Sequence, residues 1–156
     1  MVRAIGTSNF IPERMDELLS VANTGPMVNQ IELHPFYSEQ DYLDDLARKG
    51  IVCEAWAQFN EGLRGIFTHP VLEAIGARHG KTAAQAALRR NVQRGAVVIP
   101  KSENAAHMRE NRDIWDFELT PSEMAAISEM DEGRSEIMDF YAPATGRLLT
   151  QWRIHA

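Results

Sequence analysis

Val2-Arg3-Ala4-Ile5-Gly6-Thr7-Ser8-Asn9-Phe10 and, about ninety positions later, Val97-Val98-Ile99-Pro100-Lys101-Ser102 follow one plan: an apolar run of strand length stops abruptly at small polar residues. That plan places Ser8, Asn9, Lys101 and Ser102 at the C-terminal ends of strands. In parallel α/β proteins, ligands sit at that end. Outward from these stretches, Gly and Pro cut the chain into alternating units. A strand over 2–6 leads to a helix with Pro12 in its first turn and Met15, Leu18, Leu19 and Ala22 at helical spacing, ended by Gly25-Pro26. A second strand, 27–33, runs to His34-Pro35, and Ser38 is placed to cap a helix that closes at Gly50.

The third strand, 51–57, opens into a long loop, Gln58 to Thr68, with Gly62 and Gly65; loops of that length are usually functional or disordered. A helix over 70–78 follows. Thr82 and Gln85 then form a capping-box pattern for a helix over 83–94. The fourth strand is 96–99, and after Lys101-Ser102 a helix runs through Glu110-Asn111. Thr120, Pro121 and Glu123 start a last helix, and 132–156 read as an irregular tail. Four βα units predict a parallel sheet with right-handed crossovers, the α/β class.

At 156 residues the chain is long enough for one domain with a real core. A complete (β/α)8 barrel takes roughly 250 residues, so four units correspond to a partial TIM barrel. The formal charge of −6, with no run of Lys or Arg beyond pairs such as Arg89-Arg90, argues against nucleic acid or an anionic membrane as the main partner. No apolar stretch approaches the roughly 20 residues of a membrane span. Cys53 is the only cysteine and lies in an apolar run, which fits a buried residue in a reducing, cytoplasmic compartment. His34, His69, His79, His107 and His155 show no metal-ligand spacing, and no phosphate loop or nucleophile elbow is present.

Local reading leaves the polar strand ends with two explanations each. Ser8 and Asn9 suit a helix cap, or a mouth where Asn offers a ligand amide both donor and acceptor. Gln30 suits a buried structural network or the same amide. Trp56 suits rim packing, or stacking on a planar heterocycle. Lys101-Ser102 suits a solvated loop, or an anion drawn to the following helix N-terminus.

Taken together, Ile5-Gly6-Thr7-Ser8-Asn9-Phe10, Val28-Asn29-Gln30-Ile31-Glu32-Leu33-His34-Pro35, His79-Gly80-Lys81-Thr82, Gln93-Arg94-Gly95, Val98-Ile99-Pro100-Lys101-Ser102, Glu110-Asn111 and Asp116-Phe117-Glu118-Leu119 resemble the aldo-keto reductases in that family's order. These are barrel enzymes that reduce aldehydes and ketones with a nicotinamide cofactor. The resemblance covers 1–131 and matches strands five to eight, the C-terminal half of the barrel. It implies that Ser8, Asn9 and Gln30 hold the carboxamide of NADPH, that Trp56 stacks on its ring, and that Phe59 and its loop lie along the pyrophosphate. Lys101 and Ser102 would meet the 2′-phosphate, with His107 where the family usually has Arg, and Glu110 and Asn111 the adenine.

His107 and Glu103 weaken the phosphate end, so some use of NADH is expected. No residue matches the family's Tyr, Asp, Lys and His tetrad; Tyr37, Tyr42 and Tyr141 sit in no matching motif. The chain alone is therefore expected to be inactive toward the small carbonyl substrates of the parent enzyme. The tail, with Tyr141 and Trp152, is a candidate substrate-shaping segment. The rival expectations are a half barrel that self-associates or is completed by an N-terminal half, and a cofactor-binding remnant.

Overall fold

The computed structural model describes residues 2–151. Four strands, β1 (Gly6–Ser8), β2 (Val28–Glu32), β3 (Val52–Trp56) and β4 (Val97–Val98), lie side by side in that order, all parallel. Between and after them come α1 (Pro12–Val21), α2 (Gln40–Arg48), a kinked 3-10 segment (Asn60–Thr68), α3 (Pro70–Arg78), α4 (Ala83–Gln93), α5 (Ala105–Arg112), α6 (Pro121–Ser128) and α7 (Pro143–Gln151). The register aligns Ser8 with Gln30 and Gln30 with Glu54, and aligns Glu32 with Trp56. The polar strand ends therefore share one rim.

Alternation along the strands decides the layers. Asn29 and Ile31 of β2, with Cys53 and Ala55 of β3, are buried; Ile31, Cys53 and Ala55 join Met15, Tyr42, Leu43 and Leu46 in one apolar core. The opposite sheet face stays open, with Val52, Val97 and Ile99 each more than two-fifths exposed. A second core gathers Phe36, Ile66, Leu72, Ile75, Ala83, Ala86, Ala87, Leu119 and Ile127. There α3 approaches the start of α4 closely. A Cβ on Gly76 would stand 2.6 Å from the Lys81 carbonyl oxygen, so only glycine permits this approach.

Both predicted capping boxes form: Thr82 accepts from the Gln85 N–H, and Thr120 from the Glu123 N–H. Three expectations need correction. The first strand begins at Gly6, later than 2–6, because its paired register with β2 starts at Val28. Ser38 does not cap α2; its hydroxyl accepts from Arg90 Nη2 at 2.8 Å, and left-handed Glu39 begins the helix without a side-chain cap. The tail, expected to be irregular, contains α7. Trp152 and His155 lie outside the described residues. Among the described residues, no helix is long and apolar enough to cross a membrane, and no cluster of His, Cys, Asp or Glu could hold a metal.

Candidate functional site

The ten candidate residues fall into two groups. Phe59, Lys101, Ser102, His107, Glu110 and Asn111 line one open groove of about 450 Å³, together with Phe67, Thr82 and Ala84. Local structure explains the convergence. Asn104 caps α5 by accepting from the Ala106 N–H at 2.8 Å, and Ser102 Oγ accepts from the Asn104 N–H at 3.1 Å, so the chain turns directly from Lys101-Ser102 into α5. Gln85 on α4 donates to the Glu110 and Asp113 carbonyls at 3.2 and 2.7 Å. Lys81 reaches the Asp113 carboxylate at 2.7 Å and that of Asp116 at 2.8 Å. These bonds fix the end of α5 that carries Glu110 and Asn111.

Phe59 and Phe67 pack with centroids 5.2 Å apart and rings tilted by 55°, and both line the groove. The loop that holds them has left-handed backbone at Asn60, Glu61 and Arg64, and is anchored by fully buried Ile66 and Asn60. Lys101 lies at the open end, 2.6 Å from Glu103, with both side chains more than four-fifths exposed.

The second group sits on the rim of the sheet. Trp56 Nε1 donates to Asn9 Oδ1 at 2.7 Å, and Asn9 Nδ2 donates to Ser8 Oγ at 3.3 Å. Asn9 holds this position with φ of 54°, a left-handed conformation that Asn tolerates better than most residues. Gln30 Nε2 donates to Glu54 Oε1 at 2.5 Å. The rim side chains are thus oriented by one another and by Glu54, which the sequence reading did not single out. Among these four, only Asn9 lines the neighbouring depression of about 420 Å³, with Phe10, Glu32, Tyr37, Ser135 and Tyr141 among its walls.

The tail covers this rim. Phe140 meets Trp56 edge-on at 6.2 Å, and Ser135 Oγ donates to Glu32 Oε2 at 2.6 Å. Glu32 also pairs with His34 at 2.9 Å, both side chains being buried.

Burial raises Tyr37 and Tyr42 well above the ordinary phenol range. Burial, assisted by Glu39, pushes Tyr141 up to about 12. Tyr42 is also committed, donating to the Phe10 carbonyl at 2.6 Å. A general acid near neutral pH needs a shift in the opposite direction.

The chain is similar in sequence and fold to known proteins. An aldo-keto reductase of Mycobacterium sp. strain KMS is 42% identical over 132 residues, which cover 85% of this chain and 47% of the relative. Methylglyoxal reductase DkgA of Escherichia coli strain K12 is 34% identical, with 86% and 49% covered. The silkworm (Bombyx mori) aldo-keto reductase AKR2E5, solved in complex with NADPH, superposes with a TM-score of 0.83 at 34% identity, covering 90% of this chain and 46% of that one. The chain spans about half the length of the curated relatives it matches, and its four-stranded sheet aligns with about half of their barrels. The aldo/keto reductase family profile matches residues 1–132, and the chain belongs to that family.

Proposed function

We propose that residues 1–131 are the coenzyme-gripping half of an NAD(P)H-dependent carbonyl reductase, its strands taking the places of barrel strands five to eight. The observation that carries this reading is convergence: six candidates line one groove, and four more stand on the rim of the same parallel sheet. The donor set suits a nicotinamide dinucleotide. Lys101 and Ser102 offer a cation and a hydroxyl to a phosphate, Glu110 and Asn111 offer acceptor and donor atoms to an adenine edge, and Phe59 lines the span between. Ser8, Asn9 and Gln30 present amide and hydroxyl groups to a carboxamide, beside the flat ring of Trp56.

When bound, the reduced nicotinamide supplies hydride to the carbon of an aldehyde or ketone. This chain's residues hold and orient; none of its tyrosines is tuned to give the proton. Activity therefore belongs to the whole barrel, and the acidic balance and single buried thiol support a cytoplasmic setting.

Glu103 tunes the coenzyme preference. It neutralises Lys101, and His107 lacks the fixed charge of Arg. One negative charge about 6 Å from a phosphate dianion costs roughly 1.4 kcal/mol in water. Glu103→Asn is accordingly expected to tighten NADPH binding about three- to tenfold by calorimetry while leaving NADH nearly unchanged. Lys101→Met is expected to weaken NADPH selectively. Equal affinities for both coenzymes in all three proteins would contradict the phosphate assignment; no binding of either would contradict the groove as a coenzyme site.

A second reading is favoured by the open sheet face. Val52, Val97 and Ile99 leave apolar surface there, and β1 and β4 are unpaired edges. Such a surface invites pairing with another copy or with a separate N-terminal half. Sedimentation of the isolated chain as a strict monomer at high concentration argues against the first of these partners.

A further inference from the structure

We infer that Arg64 is a positioning residue that couples the groove loop to the segment covering the rim, so that filling the groove and placing the cover are one event. Loop 57–68 carries left-handed backbone at Ala57, Asn60, Glu61 and Arg64, besides Gly62 and Gly65. Such conformations are strained for residues other than glycine, and they persist only where the surroundings over-determine them. Arg64 is the loop's only cationic side chain, and each of its three nitrogens donates across to the tail.

Nε donates to Glu136 Oε2 at 2.6 Å, Nη2 donates to Glu136 Oε1, and Nη1 donates to Glu132 Oε1 at 2.8 Å. The guanidinium also lies over the Phe36 ring, 5.6 Å from its centroid. Fully buried Asn60 adds a longer bond, Nδ2 to Glu136 Oε2 at 3.4 Å. A bidentate fork with a third carboxylate contact fixes orientation as well as distance, which Lys could not do.

Both ends of this link reach the candidate site. On the loop side, Phe59 and Phe67 form the groove wall. On the tail side, the Glu132 N–H bonds the Phe36 carbonyl at 2.9 Å, Ser135 bonds Glu32, and Phe140 rests edge-on against Trp56. A displacement of the loop is thus passed through Arg64 to the residues that shield the Trp56 ring. The coupling stands on these contacts; its use by a coenzyme rests on the reading above.

The test is amide hydrogen exchange on the isolated chain, read by peptide for 57–68 and 132–140, in wild type, Arg64→Met, Glu132→Gln/Glu136→Gln and the combination. Arg64→Met is expected to speed exchange in 132–140 about threefold to tenfold, and the paired Glu→Gln change to do the same in 57–68. The combined variant should be no faster than either alone, since all remove one link. Acceleration confined to the mutated segment, or effects that multiply, would overturn the coupling.

Adding NADPH should slow exchange in both segments of wild type but only in 57–68 of Arg64→Met. Protection of 57–68 alone in wild type would overturn the coupling's role in binding. Protection of neither segment would count against the coenzyme reading, while the variant cycle still decides whether Arg64 joins loop and tail.

Discussion

Arg90→Met is expected to raise the melting temperature by about 4–8 °C, a gain of roughly 2 kcal/mol in a domain of this size. Arg90 is fully buried. Only its Nη2 is used, donating to the hydroxyls of Ser38 and Ser128 at 2.8 and 3.2 Å, while Nε and Nη1 find no partner among the described residues. Burial, reinforced by the neighbouring Arg94 charge and only partly opposed by Asp131, pushes the guanidinium down to about 9.

A buried cation with no ion pair is destabilising, and an apolar side chain of similar length removes that cost. The unbonded Ser38 hydroxyl returns about 1 kcal/mol of it, which leaves the net gain above. The neighbouring Arg89 supplies the contrast. It donates to the Ile114 carbonyl at 3.2 Å and to Gln93 at 3.1 Å, pairs with Glu118, and lies over the Phe117 ring. Arg89→Met is expected to lower stability by about 2 kcal/mol, because it strands satisfied partners. Denaturant unfolding of both variants decides the matter; destabilisation by Arg90→Met would mean that the guanidinium has partners beyond those described.

The second large effect concerns turnover. Loss of a positioned general acid removes a factor of about 10²–10⁴, and loss of substrate orientation removes more. Against ordinary turnover numbers of 1–10³ per second, the isolated chain is expected to oxidise NADPH with an aldehyde panel at least about 10⁴-fold more slowly than a whole reductase. The physical reason is that no residue here matches the family's Tyr, Asp, Lys and His tetrad. Tyr141, held at about 12 mainly by burial, is a poorer donor than free phenol at every pH of interest. Aldehyde-dependent oxidation at enzymatic rates would show that this chain carries an acid of its own.

The elements legible in the sequence were those set by local rules. Thr82 and Gln85, and Thr120 and Glu123, signal helix starts within four residues, and both boxes form. The strand end at Ser8-Asn9 was legible because an apolar run stops at polar residues there; β4 ends at Val98, and Lys101-Ser102 follow it into the groove. Strand limits were less so: β1 and β4 are edges, and their lengths depend on which neighbour offers a register rather than on their own residues. Ser38 has a good cap's chemistry, but a buried guanidinium from 52 positions away takes its hydroxyl. Arg64 was invisible for the same reason, since its carboxylates lie 68 and 72 positions along the chain. Glu54, which holds Gln30, is an ordinary mid-strand acid until the register is known.

The proposed function requires one surface to grip one molecule from end to end. Two-dimensional amide NMR of the isolated chain during NADPH titration tests that most directly, with the Trp56 indole N–H as reporter at one end and the Ser102, His107 and Asn111 amides at the other. The expected result is saturable shifts at both ends with a single dissociation constant, accompanied by Ser8, Asn9 and Gln30. Shifts confined to one end, shifts scattered over α2 and α6, or none at millimolar coenzyme would contradict it.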